Sequence, residues 1–149
     1  MAFAAPSLKG RALRLLSQRE YSRAELERKL AKYEEEPGTL ARALDELAAK
    51  DFISEPRVVA SVIHQRAPKL GALRVRQELQ AKGIAPEAIV EAVAGLQASE
   101  VERATVLWRR RFDAPPADAK ERARQTRFLL ARGFSGSVVA KVLRTDFDD

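Results

Sequence analysis

The sequence of 149 residues contains no cysteine and a single histidine, His64. Without cysteine there can be no disulfide, thiolate zinc site or cysteine nucleophile, and this usage fits the cytoplasm, where we expect the protein to reside. One histidine is too few for an H-E-x-x-H zinc site, and no G-x-x-x-x-G-K sequence supplies a phosphate-binding loop. We therefore expect no enzymatic activity, no cofactor and no metal.

Long apolar runs are also missing from the sequence. No stretch approaches the roughly 18 apolar residues that a membrane-spanning helix requires. Residues 1–8 have no long apolar segment, so we expect no secretory signal. With 46% hydrophobic and 32% charged residues, the composition is typical of a soluble protein that folds and has no membrane contact.

Basic residues exceed acidic residues, and the excess is uneven. The chain has 27 Lys+Arg against 21 Asp+Glu, a net charge of +6. From Arg103 to Arg144 there are 11 basic residues against 3 acidic ones. A local excess of this size indicates an anionic partner such as a nucleic acid or an acidic protein groove, although a solvated helix surface can have the same composition.

The spacing of apolar residues predicts nine short helices and no strand, so the fold class is all-α. The predicted N-terminal caps are Ser22, Ser54 or Glu55, Ser99, Asp118 and Ser135. Ser22 and Ser99 each precede a glutamate by three positions, which is the pattern of a capping box. Gly83 and Gly133 are placed to end helices.

The helices form three groups of three, and the groups repeat. Five apolar positions in the first group have apolar counterparts 49 residues later. They are Leu26, Leu30, Leu40, Leu44 and Leu47, matched by Val75, Leu79, Ile89, Val93 and Leu96. A weaker third copy continues at Phe128, Val138 and Val142. One fixed offset across two helices and a loop favours a true internal repeat.

We therefore predict three three-helix repeats at residues 9–53, 54–98 and 99–145, with flexible tails at 1–8 and 146–149. Three helices of about ten residues bury little surface, so each repeat is marginal alone. A tandem array of such repeats is expected to be elongated, with neighbours supporting one another. This shape suits contact along a partner and does not by itself provide an enzyme's deep pocket.

Two basic clusters are candidate contact sites for an anion. The first is Arg109, Arg110 and Arg111, of which at least two must face solvent on a helix; Arg127 and Arg132 follow on later helices. The second cluster is Arg66, Lys69, Arg74, Arg76 and Lys82. The planar fork of arginine suits phosphates and carboxylates, but solvated helix faces are the alternative. We interpret His64 as a helix-face residue and Trp108 as a core residue.

Three segments resemble the RecX family of regulatory proteins. The first is Leu16-Ser-Gln-Arg-Glu-Tyr-Ser-Arg-Ala-Glu-Leu-Glu-Arg-Lys-Leu30. The second runs from Arg57 and includes Gly71-Ala-Leu-Arg-Val-Arg-Gln-Glu-Leu-Gln-Ala-Lys-Gly-Ile84. The third is Phe128-Leu-Leu-Ala-Arg-Gly-Phe-Ser135. They occur in the family's order and, taken together, extend over most of the chain.

The resemblance implies a fold of tandem three-helix repeats and a partner, the RecA recombinase. Members of the family lie in the groove of the RecA–DNA filament and damp RecA's ATPase, strand-exchange and co-protease activities. By this resemblance, Arg57 joins the two basic clusters as a contact residue. We also expect weak, non-specific contacts with single- or double-stranded DNA and a monomeric protein.

A DNA-binding protein of helix-turn-helix type, acting without RecA, is the alternative. The helix pairs at 22–50 and 71–96 have the appropriate lengths. The basic residues, however, do not concentrate on one recognition helix. Whether inhibition acts along the filament or at its end is left open by the sequence.

Overall fold

A computed structural model describes residues 5–145. The predicted tail at 146–149 and the first four residues of the predicted tail at 1–8 lie outside the described residues. Within residues 5–145 there are nine α-helices and no strand, as predicted. The helices are α1 (Leu8–Leu16), α2 (Arg23–Leu30), α3 (Thr39–Ala49), α4 (Glu55–Arg66), α5 (Ala72–Ala81), α6 (Pro86–Gln97), α7 (Glu100–Arg111), α8 (Ala119–Ala131) and α9 (Gly136–Thr145). A short 3₁₀ turn, Ala31–Tyr33, follows α2.

The described residues form two compact units. Unit one comprises the residues up to Ser61 together with Ala81–Ile84, and unit two comprises Val62–Gln80 and the residues from Ala85 onward. In unit one, α1, α2 and α3 pack on one another. Their shared core consists of Ala12, Tyr21, Leu26, Leu30, Leu40, Leu44 and Leu47.

Local hydrogen bonds define the helix starts in unit one. The hydroxyl of Ser22 accepts from the backbone N–H of Glu25 at 3.1 Å, and the Glu25 carboxylate accepts from the Ser22 N–H at 3.0 Å. This confirms the predicted capping box, which satisfies backbone donors that have no partner within the helix. At α1, Ser7 accepts from the N–H of Gly10, so the helix begins at Leu8.

In unit two, α7, α8 and α9 pack around a core that contains Trp108. Its indole N–H donates to the side-chain oxygen of the buried Gln125 at 2.8 Å. The caps predicted at Asp118 and Ser135 are present, since each side chain accepts a backbone N–H three residues ahead. The interpretation of Trp108 as a core residue is confirmed.

The capping box predicted at Ser99 is wrong. The Ser99 hydroxyl makes no capping hydrogen bond, and it instead accepts from Nε of Arg103 at 3.0 Å. The buried Glu100 receives the backbone N–H of Ala72 at 2.7 Å, so its carboxylate satisfies the start of α5 instead. Glu100 therefore caps a helix that begins 28 residues earlier in the chain, and the start of α7 has no side-chain cap.

The buried positions follow the predicted repeat. All ten residues matched at an offset of 49 are buried, which confirms that the two copies use the same apolar face. Apolar residues beside these positions are not all buried: Val90 is 65% exposed, Tyr33 is 39% exposed, and Ala48 is exposed. Ile89, Val93 and Leu96 already complete the buried face of α6, and Val90 lies about 100° away from Ile89 around the helix.

A close backbone contact joins the start of α5 to the turn between α8 and α9 within unit two. The N–H of Gly71 donates to the carbonyl of Arg132 at 2.7 Å, and the N–H of Leu73 donates to the carbonyl of Gly133 at 3.1 Å. Gly133 has a φ of +92°, a left-handed conformation that glycine adopts without strain. The prediction that Gly133 ends α8 is confirmed.

Candidate functional site

The predicted contact residues differ in whether their charged groups already form hydrogen bonds or ion pairs within the protein. Arg57, in unit one, donates from Nε to Glu20 at 2.9 Å and from Nη1 to Asp51 at 3.0 Å. Its Nη2 donates to the carbonyl of Asp51 at 2.6 Å. The hydrogen bond with Glu20 raises the pKa of Arg57 above its usual value. These hydrogen bonds indicate that Arg57 links the turn after α3 to α4.

Lys82 is also part of an internal ion-pair network in unit one. Its ammonium lies 3.1 Å from the Glu25 carboxylate, which Arg19 also contacts at 2.9 Å. Burial alone would raise the pKa of Glu25, but hydrogen bonds from Arg19, the Ser22 backbone and Lys82 lower it to about 2. Lys82 thus helps to hold a capping-box glutamate in its charged form.

In unit two, three of the predicted residues have structural partners. Arg66 forms an ion pair with Glu78, in which Nε and Nη2 each lie 3.1 Å from the same carboxylate oxygen, Oε1. Arg74 donates to the carbonyl of Ala131 at 2.7 Å, at the end of α8. Arg132 lies over the ring of Phe128 at 3.7 Å. These contacts stabilise helix ends and pair charges within unit two.

The other six predicted residues are exposed: Lys69, Arg76, Arg109, Arg110, Arg111 and Arg127. All three arginines of the 109–111 cluster face solvent, where at least two were expected. They lie in the last turn of α7, where positive charge also complements the helix dipole. In the part of the chain that is described, the side chains of Lys69, Arg76, Arg110 and Arg127 form no hydrogen bond, ion pair or ring contact. These four are the most available of the predicted residues for an anionic partner.

Arg103 is a structural side chain that the sequence did not single out. Its guanidinium donates to the carbonyls of Ala67 and Leu70, at 2.8 Å each, and to that of Leu96 at 3.2 Å. Burial lowers its pKa below the usual value of arginine. Arg103 satisfies carbonyls at three places in unit two, and no local pattern in the sequence could have indicated them.

A second set missed by the sequence lies in unit one. The side chains of Arg11, Arg14, Arg28, Lys29 and Lys32 line one cavity between α1, α2 and the 3₁₀ turn. Residues 1–50 contain ten basic and eight acidic residues, so a charge count along the sequence shows little excess there. The positions of these five cations along the sequence did not indicate that their side chains lie around one cavity.

Three remaining features are the position of His64, the grouping of metal-ligating side chains and the length of the apolar helices. His64 is an exposed residue of α4, as interpreted from the sequence. Within residues 5–145, no group of three or more potential metal-ligating side chains comes together. Over the same residues, no helix is both long and apolar enough to cross a membrane.

These features define an all-helical protein whose nine described helices come in three successive groups and expose basic side chains. Three family models match the chain in order: the first three-helix domain of RecX at residues 9–47, the second at 54–93 and the third at 98–143. The chain belongs to the RecX family, as its residues 16–30, 71–84 and 128–135 had indicated.

Individual relatives are similar over nearly the whole chain. Regulatory protein RecX of Leptothrix cholodnii is 55% identical over 138 residues, covering 93% of this chain and 88% of that protein. The protein of the same name from Ralstonia nicotianae is 48% identical, covering 93% and 87%. The crystal structure of RecX from Lactobacillus salivarius matches the fold with a TM-score of 0.80 at 20% identity, covering 95% and 96%.

Proposed function

We propose that this protein binds the RecA recombinase on its DNA filament and inhibits the ATPase, strand-exchange and co-protease activities of RecA. It would thereby modulate recombinational repair and the SOS response. The observation that carries the proposal is membership of the RecX family across all three three-helix domains. The relatives are named as regulatory proteins, which agrees with action by binding and without catalysis.

The exposed cations are the proposed contact residues. Arginine and lysine attract both the phosphates of DNA and the carboxylates of a protein groove. Lys69, Arg76, Arg110 and Arg127 have no competing internal partner among the described residues, so they are expected to contribute more than Arg57, Arg66 or Lys82. Affinity should fall as salt rises, because screening weakens exposed charge pairs.

Two mechanisms are compatible with this role. A protein that bridges successive RecA subunits would favour one filament geometry and hinder the changes that accompany ATP hydrolysis. A protein bound at the filament end would block growth instead. We propose a monomer that acts in the cytoplasm, with DNA contacts that are weak and non-specific.

The test is the DNA-dependent ATPase rate of RecA with this protein titrated from substoichiometric to equal ratios, at two salt concentrations. The variant R76Q/R110Q removes two exposed charges of the proposed contact surface. The matched control R42Q/K50Q removes two exposed charges from unit one, where neither side chain has a partner within the described residues. Circular dichroism verifies that both variants keep the native helix content.

Inhibition that weakens in R76Q/R110Q but not in R42Q/K50Q is the expected result. Inhibition well below one protein per RecA indicates end blocking, whereas inhibition near equal ratios indicates binding along the filament once a DNA-binding control excludes competition for DNA. Absence of inhibition at either salt would refute the proposed function. Tight, sequence-selective duplex binding without RecA would favour the helix-turn-helix alternative.

A further inference from the structure

Unit one contains a cavity of about 420 Å³ that the proposed function does not use. It is formed by α1, the end of α2 and the 3₁₀ turn. Five cationic side chains line it, and no acidic residue does. The cations are Arg11, Arg14, Arg28, Lys29 and Lys32. Its volume falls within the roughly 300–1,000 Å³ of ligand-binding cavities.

The charge around this cavity is not neutralised within the described structure. Among residues 5–145, none of the five cations forms an ion pair, and the side chain of Arg14 has no hydrogen-bonding or ring partner. Arg28 uses one N–H to donate to the carbonyl of Ala81 at 2.8 Å, which leaves its other donors available. Five like charges around one concave surface repel one another, so an anionic occupant would relieve this repulsion.

The cavity also has an apolar component. Leu15 is half-buried and Leu30 is buried, and both contribute to the lining. An apolar side chain placed between the cations would therefore meet leucine rather than water. Burial of such a group adds affinity that charge alone does not supply.

Two cations of the cavity lie against its aromatic residue, Tyr33, which is 39% exposed. The guanidinium of Arg11 stacks over the Tyr33 ring at 3.7 Å, and the ammonium of Lys32 lies 5.2 Å from the same ring. A nucleic-acid base needs an open aromatic face for stacking. Carboxylates need only the arginine and lysine donors. Because a base would compete with Arg11 for the Tyr33 ring, the geometry favours a peptide over a single-stranded nucleic acid.

We propose that this cavity binds an acidic peptide segment of a partner protein, with carboxylates flanking one apolar side chain. The carboxylates contact the cationic rim, and the apolar side chain contacts Leu15 and Leu30. None of its five cations is among the contact residues of the proposed function, and the site does not depend on RecA being the partner.

The probe is a fluorescein-labelled Asp-Asp-Leu-Asp-Asp peptide, titrated with the full chain by fluorescence anisotropy at low and at physiological salt. Competitors are the unlabelled peptide, its Asp-Asp-Ser-Asp-Asp counterpart and a five-nucleotide oligothymidylate. The test variant is R14E/K29E, and the matched control is R42E/K50E, which makes the same change of charge in the same unit. R14Q/K29Q serves as a milder variant in case charge reversal at the helix ends perturbs folding, which circular dichroism checks.

We expect R14E/K29E to bind the peptide at least about tenfold more weakly than the unmodified chain, with R14Q/K29Q showing a smaller loss and R42E/K50E binding nearly unchanged. The leucine peptide should compete better than the serine peptide. Equal losses in R14E/K29E and R42E/K50E, or equal competition by the two peptides, would overturn the site. Stronger competition by oligothymidylate than by the leucine peptide would assign the cavity to nucleic acid instead.

Discussion

Gly71 lies where the start of α5 contacts the turn between α8 and α9, and replacing it by alanine tests that contact. An added Cβ would lie 2.4 Å from the carbonyl oxygen of Gly133 and 2.6 Å from the nitrogen of Phe134. Ordinary contacts at Cβ are 3.4–4 Å. Because the obstructing atoms are backbone, no side-chain rotation relieves the clash, and the two segments must separate by about 1 Å.

The expected cost follows from what this separation disrupts. The hydrogen bonds from Gly71 to Arg132 and from Leu73 to Gly133 would lengthen, each worth about 1 kcal/mol. Overpacking adds about 1–3 kcal/mol, and the reduced entropy of the unfolded chain returns about 0.4–1 kcal/mol. We therefore expect Gly71→Ala to lower the free energy of unfolding by about 2–5 kcal/mol.

The measurement is urea unfolding followed by circular dichroism and by the fluorescence of Trp108, which lies in the same unit. Gly95→Ala is the matched control, because nothing lies within 4 Å of an added Cβ in this exposed part of α6. Alanine is a better helix former, so this control should gain about 0.5–1 kcal/mol. If Gly71→Ala unfolds at the same urea concentration as the unmodified chain, the backbone contact is refuted.

Two further predictions concern buried and charged groups. Because the pKa of Glu25 is lowered from 4.5 to about 2, its stabilising charge is present above pH 4.5 and is lost as the pH falls toward 2. Chemical unfolding across this range should therefore show a shallower loss of stability for Glu25→Gln than for the unmodified chain, and identical slopes would contradict the network with Arg19 and Lys82. Trp108→Phe should lower the free energy of unfolding by about 1–3 kcal/mol, since it removes the indole donor from the buried Gln125 carbonyl. A neutral effect in thermal unfolding would show that another donor replaces the indole.

Two chain features show how far the sequence could predict the site. The solvent exposure of at least two of Arg109, Arg110 and Arg111 was predictable because three consecutive helical residues cannot all face one core. The pairing of Arg57 with Glu20 and of Lys82 with Glu25 was not predictable, since these partners lie 37 and 57 residues apart. A count of charged residues does not distinguish an exposed cation from one that is paired within the protein.

The sequence by itself determined the helices, most of their caps and the repeated apolar positions, because these depend on residues within one or two turns of each other. Only the tertiary structure decided which cations remain exposed, that Glu100 caps a different helix, and that cations from α1 and α2 converge on one cavity. The physical reason is that ion pairs, backbone contacts and cavities join residues distant along the chain, and their partners are selected by packing rather than by local spacing.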